Sequence, residues 1–404
     1  MRLITRIDGL PPHLRAGIRP EEAAYLARLK AQGILPFGVT PHFASLAGAE
    51  QGDPIRRQFF PSPKEADKDP AALSDPLGER AHQKAPRLIH QYRDRALIRA
   101  SSRCAGYCRY CFRRIWTRPG RGFILPAEFP PILRYLGSRP EITEALISGG
   151  DPLTAPDAAL DTLFRALRRA RPDLRLRVCT RVPVTCPQRL SPGLIQLLKD
   201  HKPLRMAVHI NHSRELSRET RDVLGACAGA GIPVLTQTVL LRGVNDDAET
   251  LARLFDACLA AGLSLYYLFQ LDLAPGTGHF RVDLMEGLRL YEQLERGGAA
   301  LPVYAVDLPG GGGKIRLCRD AIAGIQGGAY LLKGPGGRLY PYPAPPAGVL
   351  SASCGERVCS FSHNPEGCAS AEFANVRAQR RKPLVGGLGE LVPPNSSQRG
   401  AKRR

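Results

Sequence analysis

Three cysteines, Cys104, Cys108 and Cys111, stand in a Cys-x3-Cys-x2-Cys spacing and run straight into Phe112-Arg113-Arg114. Thiolates so spaced can converge on one inorganic cluster. Three of them satisfy three irons of a cubane [4Fe-4S] centre and leave the fourth iron to a non-protein ligand. Zinc is the rival, but structural zinc asks for four protein ligands, and no fourth is obvious nearby. The second group is Asp307-Leu308-Pro309 followed by four glycines and Lys314. Such a run costs backbone entropy and suits a chain that must pass close to a flat or phosphorylated ligand. A lysine directly after it can carry pyridoxal phosphate (PLP). Its rivals are a flexible linker and a phosphate loop, and the latter needs a Gly-Lys-Ser/Thr and a helix that do not follow. The third group, Ser148-Gly149-Gly150-Asp151, lies where an apolar run stops. Two glycines there let backbone approach a ligand, or simply make a turn.

These groups need elements to hold them. From residue 95 to about 309, short β-branched runs alternate with amphipathic stretches. The runs 96–100, 144–148, 174–180, 205–210, 233–241, 264–271 and 303–306 predict strands. The stretches 157–170, 192–201, 214–230 and 247–261 predict helices. This alternation predicts βαβ units and a parallel sheet, curled by right-handed crossovers into a whole or partial barrel. Chemistry then collects at the carboxyl ends of the strands. The cysteines follow the first strand, Ser148–Asp151 the second, His209 ends the fourth, Asp272 the sixth and Asp307 the last. Residues 1–90 read as helical and irregular, with 51–85 a wrapping segment that has no core of its own. Residues 329–333 and 338–342 predict a hairpin around Gly-Pro-Gly-Gly.

The chain has 404 residues, 43% of them hydrophobic, enough for a sizeable core. It has no 18-residue apolar run to span a membrane and no secretory h-region at its start. Eleven cysteines in that context point to a reducing, cytoplasmic setting. The formal charge is +20 with an isoelectric point near 9.8, and +6 of it falls in residues 369–404, which hold eight Lys/Arg against two acids. Charge alone speaks to association rather than chemistry, so RNA as the direct substrate rests on little.

The cysteine motif resembles that of the radical S-adenosylmethionine (radical SAM) enzymes, in which SAM caps the open iron. The wider chain resembles the lysine 2,3-aminomutase family. The resemblance is carried, in order, by Asp53-Pro54-Ile55-Arg56, Asp75-Pro76-Leu77, Cys104 to Arg114, Ser148 to Leu153, Arg181-Val182-Pro183-Val184, His209 to His212, Gly231 to Gln237, Leu240 to Asp246, Gly278-His279-Phe280-Arg281 and Asp307 to Lys314. It covers roughly residues 35–345. It implies a radical SAM partial (β/α)6 barrel at 91–315, with a helical N-terminal extension at 1–90. A hairpin and cysteine-containing segment at 316–370 and a basic, irregular tail at 371–404 complete the expected organisation.

Carried over residue by residue, it implies that Cys104, Cys108 and Cys111 hold the cluster. Ser148, Gly149, Gly150, Asp151 and Gln237 seat SAM. Lys314 carries PLP and Arg95 meets the PLP phosphate. Arg113 binds the α-carboxylate of L-lysine, and Asp272 and Asp307 hold its distal ammonium. The implied reaction moves the α-amino group to C3 through a 5′-deoxyadenosyl radical, giving β-lysine. Expected partners are L-lysine, a flavodoxin- or ferredoxin-type electron donor and further copies of the chain.

Three departures matter. Gln91 stands where the family has a second phosphate-binding arginine. Tyr110 and Phe112 resemble the branch that isomerises lysine for elongation factor P, so β-lysine dedicated to that pathway is the alternative. A non-catalytic cluster-binding module is a further one. Cys354, Cys359, His363 and Cys368 could form a structural zinc site or a free-thiol tail, and Asp247 occupies the position of the family's partnering cysteine.

Overall fold

The computed structural model describes residues 2–34, 37–114, 116–117 and 122–344. Cys354, Cys359, His363, Cys368 and the basic tail lie outside the described residues. The N-terminal extension holds four short helices, α1 (Pro12–Ala16), α2 (Pro20–Ala31), α3 (Pro41–Ser45) and α4 (Pro54–Phe59). Each has proline in its first turn, where the missing N–H costs nothing. Leu14, Leu26, Phe43, Ile55 and Phe59 sink into the same core as the barrel strands. The extension therefore wraps the barrel by sharing its core.

A ten-stranded sheet follows in chain order. β1 (Gln83–Ala85), β2 (Leu88–Tyr92) and β3 (Arg95–Ser101) pair antiparallel. From β3 the sheet runs parallel through β4 (Glu144–Gly149), β5 (Arg175–Thr180), β6 (Leu204–His209), β7 (Val234–Val239), β8 (Ser264–Phe269) and β9 (Val303–Leu308). The crossovers are α5 (Phe129–Gly137), α6 (Asp157–Ala170), α7 (Val182–Thr185) with α8 (Pro192–Asp200), α9 (Arg218–Gly229), α10 (Ala248–Ala260) and α11 (Leu284–Arg296). Six βα units and a seventh parallel strand make a partial barrel. β10 (Gly313–Arg316) then turns back antiparallel on β9.

Alternation along each strand separates two faces. Ala96, Ile98, Ile147, Val178, Met206, Leu265 and Val306 pack outward on the helices as one core. The opposite face is polar where its charges can pair. Glu144 accepts from Arg205 Nε at 2.7 Å and Arg177 Nε at 3.2 Å, and Arg177 lies 5.3 Å from the Tyr266 ring centroid. Buried charges persist only in such company. Ser191, Ser217, Asp247 and Asp283 cap α8, α9, α10 and α11 through their side-chain oxygens. Asp247 thus has a structural task of its own.

A second sheet joins β11 (Ile322–Gln326), β12 (Ala329–Lys333) and β13 (Leu339–Pro343). The expected hairpin is the β12–β13 pair; β11 has alternating exposure but weak apolar patterning, and sequence alone misses it. The predicted strand 264–271 stops at Phe269, because Gln270 turns inward to bond the Val282 carbonyl and Tyr342. Asp272 therefore lies on the loop beyond β8, and Asp307 lies within β9.

Candidate active site

The cysteine loop leaves β3 and is tied to its surroundings by main-chain bonds. Tyr107 N–H donates to the Gly38 carbonyl at 2.8 Å and Arg109 N–H to the Gln58 carbonyl at 2.9 Å. Arg109 and Arg114 both pair with the buried Glu65. The extension thus fixes the loop from one side. Cys104, Cys108 and Cys111 are free thiols. Burial, then the neighbouring thiolate charges, push Cys104 well up and Cys111 up to about 11. Cationic irons would remove that penalty. Arg181 Nη1 donates to Cys108 Sγ at 2.9 Å, as a donor to a thiolate does. Among the described residues no three His, Cys, Asp or Glu side chains converge as a single-ion site. A cluster that spreads its thiolates over separate irons does not require that convergence. The residues fit a cubane centre.

Ser148–Asp151 meets this loop from β4. Gly149 has φ +108°, and a Cβ there would lie 2.4 Å from the Ser101 carbonyl oxygen. A Cβ at Gly150 would lie 2.4 Å from that of Arg103. The glycines serve the close approach of two backbones: Gly150 N–H bonds the Ser101 carbonyl at 2.6 Å and Asp151 N–H that of Arg103 at 2.7 Å. The Asp151 carboxylate is 5% exposed and accepts from Thr180 Oγ1, Arg181 N–H, Val182 N–H and Leu153 N–H. It is committed to tying β4 to β5, so a ligand at this turn meets main chain and Ser148. Gln237 stands on β7 in register with His209 and Tyr267.

Lys314 and Asp307 are Cα partners across β9 and β10, with Nζ 2.7 Å from Oδ2. Nζ also lies 4.1 Å from the Phe269 ring centroid. The glycine run is the tight turn between the strands, with φ of +71°, +95° and +84° at Gly310, Gly311 and Gly313. The β2–β3 hairpin lies against this turn. Gln91 Nε2 donates to the Gly311 carbonyl at 3.1 Å, and Tyr92 Oη to Asp307 Oδ1 at 3.4 Å. The two ends of the open sheet therefore meet at Lys314. Arg95, at the start of β3, pairs with Asp94 at 3.0 Å and lies 5.3 Å from the Tyr92 ring centroid. A lysine amine beside a glycine turn, with aromatic rings and a guanidinium close by, fits PLP.

Asp272 completes the pocket. Burial, then the charge of Asp307, raise its carboxyl to about 8, opposed by Lys314 and Arg113 and reinforced by Glu79. These five ionisable groups therefore lie within electrostatic reach of one another. Arg113 pairs through Nη2 with Glu79, donates through Nη1 to Ser148 Oγ at 3.3 Å, and keeps a buried Nε without a partner among the described residues. Sequence reasoning missed Glu79, although it closes the Asp75-Pro76-Leu77 segment already singled out. That segment bridges the site: Leu73 N–H bonds the Leu273 carbonyl at 2.7 Å and Gly310 N–H that of Pro76 at 2.9 Å.

The model of the radical SAM superfamily matches residues 98–255, which span the cysteine loop and the strands around it. The fold and site define a radical SAM enzyme. Among similar proteins, the "Putative L-lysine 2,3-aminomutase" of Treponema pallidum (strain Nichols) is 45% identical over 315 residues, covering 76% of this chain and 89% of that one. The L-lysine 2,3-aminomutase of Bacillus subtilis (strain 168) is 35% identical over 316 residues, covering 77% and 67%. The glutamate 2,3-aminomutase of Clostridioides difficile (strain 630) is 31% identical over 317 residues, covering 78% and 74%. The chain belongs to the lysine 2,3-aminomutase family and is an isomerase. The cofactor set of that family is a [4Fe-4S] cluster, SAM and PLP. No helix among the described residues is long and apolar enough to cross a membrane.

Proposed function

We propose that this isomerase moves the α-amino group of L-lysine to C3, giving β-lysine, with PLP on Lys314 and the cluster on Cys104, Cys108 and Cys111. The observation that carries the reading is the Lys314–Asp307 pair at 2.7 Å, with Asp272 and Arg113 within electrostatic reach of it. When bound, the cluster and SAM supply a carbon radical and PLP supports the migrating nitrogen. The chain's own residues do the rest. Arg113 forks onto the substrate α-carboxylate through its unpartnered Nε edge. Asp307, 2.7 Å away, pairs with the Lys314 amine and positions it where PLP would be held. Asp272 and Asp307 then hold the distal ammonium of the substrate. A glutamate side chain would put a third carboxylate against them in a dry site, which is the basis for preferring lysine. The Phe269 and Tyr267 rings flank the amine, with centroids 4.1 and 5.3 Å from it.

The test is anaerobic: reconstituted protein, SAM, PLP, dithionite and L-lysine, with L-glutamate and L-arginine in parallel. β-Lysine that disappears in Cys108→Ala and Lys314→Ala is the expected result. Turnover of glutamate in preference to lysine overturns the substrate. Tyr110 and Phe112 favour a second reading of the product's destination, supply to elongation factor P, because the motif that holds them resembles that branch of the family. Transfer of the product to that factor by its ligase, measured by mass, decides it.

A further inference from the structure

Arg181 has no part in the roles above, yet among the described residues it is the cation of a buried polar ring beneath the cysteine loop. Its side chain is 10% exposed. One arm, Nη1, points at Cys108 Sγ at 2.9 Å. The other, Nη2, reaches Glu215 Oε2 at 3.1 Å and Gln58 Oε1. Glu215 is fully buried, and its second oxygen accepts from Gln58 Nε2 at 2.8 Å and Asn211 N–H at 3.3 Å. Asn211 Nδ2 donates to Gln58 Oε1 at 3.0 Å, and its oxygen meets His209 Nε2 at 3.0 Å. His209 meets Tyr110 Oη at 3.2 Å, beside Cys108. The ring is held from the fold side by Asp151, which takes the Arg181 N–H at 2.7 Å. Gln58, 0% exposed, comes from α4 of the extension.

Within this ring the Arg181 guanidinium is paired with the Glu215 carboxylate, beside a neutral His209 whose pKa burial lowers to about 3. A buried guanidinium is retained only if something repays its desolvation. Glu215 repays part, and the remaining arm is spent on a cysteine sulfur. Hydrogen bonds and charge at the sulfurs of an iron–sulfur centre set its reduction potential, because reduction adds negative charge to the cluster.

We propose that Arg181 is the positioning residue of the iron–sulfur centre, holding the Cys108 thiolate and favouring the reduced cluster, with Glu215 as the opposing charge that limits the effect. The proposal rests on ligation of the cluster by Cys104, Cys108 and Cys111. Its signature is a pair of shifts of opposite sign. Arg181→Gln removes a positive charge from the sulfur and makes reduction harder. Glu215→Gln removes a negative charge one arm further away and makes reduction easier. A role in packing alone moves both in the same direction or neither.

The experiment is an EPR-monitored redox titration of the reconstituted full chain without SAM or lysine, with iron and sulfide content measured in each variant. For Arg181→Gln we expect a tenfold fall in the reduced-to-oxidised ratio at fixed poise, a displacement of about 59 mV for a one-electron couple. Arg181→Lys keeps the charge and recovers part of it, and Glu215→Gln moves the ratio upward. Unchanged potentials in loaded variants, or shifts of one sign, overturn the proposal. Where Arg181→Gln does not fold, the direction of the Glu215→Gln shift decides alone. A parent chain that takes up no four-iron cluster overturns the ligation instead, and the iron analysis reads that separately.

Discussion

Lys314 and Asp307 face each other across the hairpin that ends the barrel sheet, Cα partners in register with Nζ 2.7 Å from Oδ2. The four-glycine turn makes that register, and the register delivers the amine to the pocket. Lys314→Arg keeps the pair and the fold but cannot bond PLP. The Schiff-base absorbance of PLP should vanish in Lys314→Arg and Lys314→Ala alike, with turnover down about a thousandfold or more. A retained Schiff-base band in Lys314→Arg assigns the covalent site elsewhere.

Asp272 should give lysine binding a pH dependence. Its carboxyl, raised to about 8 by burial and then by Asp307, holds a proton below that pH in the lysine-free site, and the distal ammonium needs it ionised. KM for lysine should fall as pH rises through about 8, and Asp272→Asn should abolish that fall while raising KM. Stability carries the opposite sign. The folded carboxyl holds its proton above the unfolded pKa, so the folded state binds more protons between about pH 4 and 8 and loses stability as pH rises through that window. The melting temperature of the cofactor-free chain should decline there, and Asp272→Asn should flatten the decline.

Glu79 separates charge from orientation at Arg113. Glu79→Gln keeps an acceptor on Nη2 but removes a carboxylate beside the substrate's own, so KM for lysine should fall by roughly fivefold, worth about 1 kcal/mol. Glu79→Ala leaves the guanidinium unheld, and KM should rise. Both variants should retain PLP. Equal KM in all three proteins separates Arg113 from the substrate carboxylate.

Gly149 and Gly150 should be intolerant of any side chain. A Cβ at either lies 2.4 Å from a carbonyl oxygen of the strand or loop that precedes Cys104. Gly150→Ala should lower iron uptake on reconstitution and cost about 1–3 kcal/mol, the range for overpacking a tight site. Gly137→Ala, with nothing within 4 Å of its Cβ, is the control. Full iron loading in Gly150→Ala means that the loop can move.

Much of this was legible in order along the chain. Short β-branched runs between amphipathic stretches announced the parallel sheet, since buried strands and half-buried helices leave those patterns in the residues. α6 fell on the predicted 157–170. β8 ended early and β11 went unseen because their ends are decided by partners, Tyr342 and β12, that lie far along the chain. Sequence alone determined the three thiols at cluster spacing, the glycine run before Lys314 and the types of Arg113, Asp272 and Asp307. Tertiary structure alone decided that Glu79 meets Arg113 and that Asp151 turns into the fold. It also decided that Gln58 and Glu215 brace Arg181 against Cys108. The reason is physical. Local spacing dictates what one segment can bind, whereas a buried charge takes its role from whichever distant group is folded against it to repay its desolvation.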